Sequence, residues 1–290
     1  MYEVFYGFRE KPFSIHPDPS FLYFSRKHRM GMDLLEYGLM NQVGFNVITG
    51  GIGTGKTTLV RHLLAQVAPG TAVGLVSHTP RSYAELLPRI LFAFRLDYRR
   101  RDSTEMLHTF LDFLAAQSAR GHRSLLIVDE AQNMLPETLE ELRMLSNVNA
   151  DQGLVLQVIL VGQIQLREML RRPDLLQFAQ RIAVDYHLEA LDAEETATYI
   201  RHRLGLVGGD PAMFDDAAIA ATYGYSQGVP RLINLLCDTA LVYGFAEQRP
   251  GIDADLIHLV AKDKLKSGLF PLCEAPARIG ETNALAGARP

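Results

Sequence analysis

The chain has 290 residues, 48% of them hydrophobic and 21% charged, with a net charge of -4 at pH 7 and two cysteines. These values exclude a wholly disordered chain, a disulfide framework and a globally basic binder of nucleic acid, and they leave room for a large α/β domain with a small satellite. The sparse cysteines, without metal-ligand spacing, point to a reducing cytoplasm.

Met1 to Arg9 lack a basic segment followed by an apolar one, so no secretory signal is read there. Residues 1–30 hold Pro12, Pro17 and Pro19 among Phe13, Phe21, Tyr23 and Phe24, which predicts an ordered, non-helical arm packed on something; a helix is expected near Met30 to Met40. From Phe45 short apolar runs alternate with amphipathic helices, the rhythm of a parallel sheet covered on both faces. Strands are expected at Phe45 to Thr49, Ala72 to Ser77, Leu125 to Asp129, Val155 to Val161 and Ile182 to Leu188. Leu59, Val60, Leu63, Leu64 and Val67 form one helical stripe, and Met106, Leu107, Phe110, Leu111 and Leu114 another. The longest apolar run, Leu154 to Val161, is interrupted by Gln157 and far shorter than the roughly 20 residues of a membrane helix, so no span is expected.

Beyond Leu191 the strand signal stops. Asp192 and Glu195 make a capping box for a helix to about Leu204, ended by Gly205, Gly208 and Gly209. Helices near Asp215 to Tyr223, Pro230 to Glu247 and Asp253 to Lys264 would complete a small all-helical domain. The resulting division is an arm over 1–30, a nucleotide-binding α/β domain over 31–190, a helical lid over 191–268 and a disordered tail over 269–290.

Gly50-Gly51-Ile52-Gly53-Thr54-Gly55-Lys56-Thr57 fits G-x-x-x-x-G-K-[ST] between a predicted strand and a predicted helix. Phosphates need close approach by backbone N–H groups, which glycines permit, and the following helix adds its positive end. Lys56 would reach the β and γ phosphates of ATP, Thr57 would ligate Mg²⁺, and Thr58 would add a contact near the α phosphate. Leu125 to Val128 then runs into Asp129 and Glu130: the first acid would bind Mg²⁺ through water, and the second would orient or deprotonate the attacking water. Gln163 closes the fourth strand at the end that faces the nucleotide in such sheets, a sensor candidate whose amide can bond the lytic water or the γ phosphate. Arg181 precedes the last strand, with Arg171 and Arg172 as rivals, and Arg231 lies beside Pro230 at the start of a helix. Arg95, Arg99, Arg100 and Arg101 with Tyr98 form a basic loop that reads as a solvated loop, a subunit contact or a nucleic-acid contact. The histidines show no HxxxH or HxH metal pair.

Over about Tyr6 to Leu265 the chain resembles the ExeA-type, or general secretion pathway protein A, ATPases of the AAA+ superfamily, including the subfamily found beside exosortase and exopolysaccharide loci. The resemblance rests on Pro12-Phe13, Pro17 to Tyr23, Thr49 to Leu59, Asp129-Glu130-Ala131-Gln132 and Gly228 to Asn234. It implies a sensor role for Gln163, a role for Arg181 as a finger entering a neighbour's site, and a second-sensor role for Arg231. Two departures stand out: Gly51 replaces a usual acid, and Ile164-Gln165 replaces a usual Pro-Glu. Some members continue through a membrane helix into a peptidoglycan-binding domain; this sequence ends soon after the lid, so a direct cell-wall role is not expected. The expectation is a self-assembling cytoplasmic ATPase, peripheral at the inner membrane, serving envelope secretion or exopolysaccharide export with protein partners. The alternative is a transposition-type ATPase assembling on duplex DNA.

Overall fold

The protein is described from a computed structural model over residues 1–15, 21, 23–77, 79–99, 102–146, 156–268 and 271–273. Its elements in chain order are α1 (Tyr2–Tyr6), α2 (Arg26–Met40), β1 (Phe45–Gly50), α3 (Lys56–Gln66), β2 (Ala72–Val76), α4 (Tyr83–Ala93), α5 (Ser103–Ala119), β3 (Ser124–Val128), α6 (Pro136–Ser146), β4 (Gln157–Gly162), α7 (Ile164–Leu170), α8 (Leu176–Ala179), β5 (Ile182–Leu188), α9 (Ala193–Leu206), α10 (Asp216–Ser226), α11 (Pro230–Ala246) and α12 (Ala254–Lys266). The chain divides into two units, one continuous over Arg26–Glu189 and one assembled from Met1–Ser25 with Ala190–Pro290.

The continuous unit is a five-stranded parallel sheet in the order β2-β3-β4-β1-β5. Its inner strands β1, β3 and β4 are buried at every position. That is why they read as mostly apolar runs instead of alternating ones, with Asn46, Thr49 and Gln157 among the buried polar exceptions: helices cover both faces. Phe45, Val47, Leu126, Val128, Val158 and Leu160 face one way, into a core shared with Leu86, Ile90, Phe110, Leu139 and Phe178. The opposite face of β1 meets α2 and α3, where Gly38 leaves room for Asn46. The fourth strand was expected from Val155; it runs over Gln157–Gly162, and Val155 lies outside the described residues.

The second unit corrects the expected arm. The described residues of 1–25 are not wholly non-helical, because α1 forms over Tyr2–Tyr6, and what they pack on is the core of α9 to α12. Their aromatics explain this placement: Tyr2, Phe8, Phe13 and Phe21 are buried among Ile200, Phe214, Leu236 and Ile257. The Tyr2 hydroxyl donates to the Asp238 carboxylate, and burial raises its pKa first, with Asp238 adding to the effect. Arg203 on α9 is buried, donating through Nε to the Pro12 carbonyl at 2.5 Å and through Nη2 to the Ser14 carbonyl at 3.1 Å. Its guanidinium lies 4.5 Å from the Phe21 ring centroid.

The capping box expected at Asp192 and Glu195 forms, and Asp215 and Asp253 cap α10 and α12 in the same way through one side-chain bond each. Of the stretch expected to be a disordered tail, residues 271–273 are described: Leu272 is buried, and the exposed Cys273 donates its N–H to the Tyr225 carbonyl at 3.0 Å. The rest of that stretch lies outside the described residues. Among the described residues no helix is long and apolar enough to cross a membrane.

Candidate nucleotide site

The carboxyl ends of three adjacent strands build the site. β1 pairs with β4 so that Thr49 sits beside Gly162, and β4 pairs with β3 so that Leu160 sits beside Val128. The residues that follow are therefore brought together: the loop Gly50 to Gly55 after β1, Asp129 and Glu130 after β3, and Gln163 after β4. In an open parallel sheet this edge is where ligands bind.

The loop delivers α3 with its first N–H groups uncapped by any side chain. Gly55 makes this possible. It has φ +103°, and a Cβ there would lie 2.8 Å from Nε2 of His28. His28 is buried against the loop, with Nε2 3.1 Å from the Thr54 carbonyl, and sequence reasoning passed over it because a lone histidine in an amphipathic helix carries no signal. At Gly51, by contrast, a Cβ would meet only Thr54 Cγ2 at 3.4 Å, so the position tolerates the acidic side chain that it lacks. Ile52 stands exposed at the loop tip, and Thr58 lies half-buried in the first turn of α3.

Lys56 is buried and donates to the carbonyls of Gly50 at 2.9 Å and Gly51 at 2.8 Å. Burial lowers its pKa, against the opposing pull of Glu130 and Asp129. The Thr57 hydroxyl donates to Asp129 Oδ2 at 3.0 Å, and the Glu130 N–H donates to Asp129 Oδ1 at 2.9 Å. Burial raises the pKa of Asp129, and these two donors oppose the rise. Thr79 fixes the same turn by donating to the Asp129 carbonyl.

Glu130 takes a left-handed backbone, φ 57°, which a non-glycine residue seldom adopts and which turns the chain sharply out of β3. Its Oε2 accepts from Nε2 of Gln132 at 2.5 Å, with Nε2 of Gln163 at 3.4 Å. Gln163 is thus brought to Glu130, and Ile164 starts α7 directly after it without proline. Gln132 was quoted as part of a motif and given no role; its second partner, Gln163, lies at the end of another strand, which spacing along the chain does not reveal.

The arginines fall differently. Arg181 is exposed in the turn before β5, and Arg171 is exposed at the end of α7. Arg172 is engaged with Asp174 at 2.8 Å. Arg231 is exposed in the first turn of α11, in the helical unit. In the basic loop Tyr98 packs on the sheet unit's core and against Phe92, with ring centroids 6.0 Å apart, while Arg95 and Arg99 are exposed. Arg100 and Arg101 lie outside the described residues.

Residues 40–170 match the AAA domain family. Over 247 residues the chain is 42% identical to general secretion pathway protein A of Aeromonas hydrophila, a match covering 85% of this chain and 45% of that protein, so the chain spans about half the length of its curated relative. The fold is similar to Aeropyrum pernix ORC2 solved with ADPNP and ADP, at TM-score 0.67 and 20% identity over 88% of this chain and 72% of that one. It is also similar to Cdc6p of Pyrobaculum aerophilum, at TM-score 0.64 and 17% identity over 85% and 70%, and to RuvB of Thermotoga maritima, at 0.52 and 18% over 83% and 69%. At such identities these structures speak for the P-loop AAA-type fold alone. The protein is an AAA-domain protein related to general secretion pathway protein A.

Proposed function

We propose that this protein is an ATPase that binds Mg-ATP through Gly50 to Thr58 and hydrolyses the bond between the β and γ phosphates. The observation that carries the reading is the meeting of Thr57 with Asp129 at 3.0 Å, next to the buried Lys56 and to Glu130. A hydroxyl beside a carboxylate is a set of hard oxygen donors suited to Mg²⁺, which leaves its other positions to water and phosphate. Thr57 and Asp129 would hold the ion; when bound, it offsets charge on the phosphate oxygens.

The chain's own residues supply the rest. Lys56 exchanges the Gly50 and Gly51 carbonyls for the β and γ phosphates, and the uncapped start of α3 receives them. Thr58 adds a contact near the α phosphate. Glu130 takes the proton of the attacking water, and Gln163 bonds that water or the γ phosphate. Arg181, with Arg171 as its rival, enters the site of a neighbouring copy; Arg231 closes the helical unit on the γ phosphate, which couples hydrolysis to assembly.

The relation to general secretion pathway protein A supports a place in envelope secretion or exopolysaccharide export, acting from the cytoplasm at the inner membrane through protein partners. The test of the chemistry is Glu130→Gln, which should keep Mg-ATP binding and lower turnover at least about a hundredfold, the scale of a lost general base. Parental turnover in that variant would remove Glu130 from the reaction.

A further inference from the structure

Gln132 has each end of its amide on a different strand's residue. Nε2 donates to Glu130 Oε2 at 2.5 Å, and Oε1 accepts the main-chain N–H of Gln163 at 3.0 Å. The amide cannot be turned over without setting an oxygen against a carboxylate and an NH₂ against an N–H, so both partners fix one orientation. The backbone leaves the space it needs: a Cβ on Gly162 would lie 2.9 Å from Oε1 of Gln132. Ala131, between the two side chains in sequence, is fully buried and holds the short 3₁₀ turn Ala131–Asn133 in place. The carboxylate of Glu130 is therefore tied, through one side chain, to the main chain at the end of β4.

We propose that Gln132 is a positioning residue for the hydrolytic reaction: it holds the Glu130 carboxylate at a fixed place relative to Gln163, so that base and sensor present one geometry to the attacking water. This rests on the reading of Glu130 as the base. A carboxylate on a left-handed residue at a strand end has freedom in its side-chain torsions, and a charge-assisted bond is the strongest local restraint on it. The bridge also joins two strand ends that the sheet sets side by side, adding a main-chain anchor at 3.0 Å to the longer contact of 3.4 Å that Glu130 makes with the Gln163 amide itself.

Two variants separate the halves of the bridge. Gln132→Leu removes both bonds. Gln132→Glu keeps the shape and the acceptor toward the Gln163 N–H, which protects folding, and replaces the donor with an oxygen facing Glu130. Both should lower kcat about tenfold to a hundredfold, the scale of one hydrogen bond to a charged group, with KM and nucleotide affinity within about twofold. In a Glu130→Gln background Gln132→Leu should cost nothing more, because the residue acts through the carboxylate already lost. Parental kcat in both variants, or a loss that adds in full to that of Glu130→Gln, overturns the proposal. If Glu130→Gln is inactive while both Gln132 variants keep the parental rate, the bridge alone fails; if Glu130→Gln itself turns over normally, the reading of the base fails with it.

Discussion

Replacing Arg203 by Met tests whether the amino-terminal segment is part of the helical unit's core. The guanidinium serves the Pro12 carbonyl at 2.5 Å and the Ser14 carbonyl at 3.1 Å, and Ser14 retains a longer bond from Asn234 at 3.4 Å. Each hydrogen bond to a charged group contributes about 1.5–3 kcal/mol, and the stacking on Phe21 about 0.5–2 kcal/mol. The methionine stem fills part of the space and recovers some packing. A net loss of about 3–4 kcal/mol is expected, a large share of the roughly 5–15 kcal/mol that holds a typical domain. In urea this corresponds to a midpoint lowered by about 1 M or more. The chain has no tryptophan, so circular dichroism is the probe, joined by limited proteolysis scored for cuts within residues 1–25. Arg203→Lys should fall between parent and Met, since it keeps a donor but loses the planar fork. An unchanged midpoint and an uncut segment in Arg203→Met would refute the reasoning.

Lys56→Ala should abolish tight nucleotide binding, whereas Thr57→Val should remove only the gain that Mg²⁺ brings, as read by titrating a fluorescent ATP analogue with and without the ion. Arg181→Ala should cut turnover by roughly 10³ or more with affinity nearly unchanged, and mixing it with Glu130→Gln should restore some activity; no rescue in a sample shown to exchange subunits argues for a site complete within one chain. Duplex DNA should bind no more tightly than about 10⁻⁴ to 10⁻⁶ M at physiological salt. Nanomolar, salt-sensitive binding that vanishes on changing Arg95 and Arg99 to Ala would favour the DNA reading over export.

What the sequence made legible was what short-range rules govern. The glycine-rich turn that leads into α3, the strand running into Asp129 and the capping box at Asp192 are each written within a few consecutive residues, and all three form. The helix α4 before the basic loop was expected without bounds: Pro88 stands in its interior and blurs the pattern, although Leu86, Leu87, Ile90 and Leu91 bury a full face. Tyr98 shows another limit: it was noted only as an aromatic among arginines, and its ring packs, partly buried, against the core of the sheet unit, since adjacency to charge says nothing about which way a ring packs. His28 and Gln132 were invisible for a third reason. Their partners, Thr54 and Gln163, are 26 and 31 residues away, and only the registry of strands and helices brings them within bonding distance.

The helical unit is made from both ends of the sequence, with the whole sheet unit between them. During synthesis Tyr2, Phe8 and Phe13 leave the ribosome long before α9 to α12, the helices whose core they share. At about 5–20 residues per second the wait is on the order of tens of seconds, long enough for the continuous sheet unit to fold first. For that interval the leading aromatics are exposed surface that a chaperone can hold or a neighbouring chain can capture. Removing residues 1–25 to isolate the AAA domain would therefore strip the helical unit of half its aromatic packing while leaving the sheet unit whole, and the two effects should be separable in the melting of the truncated chain.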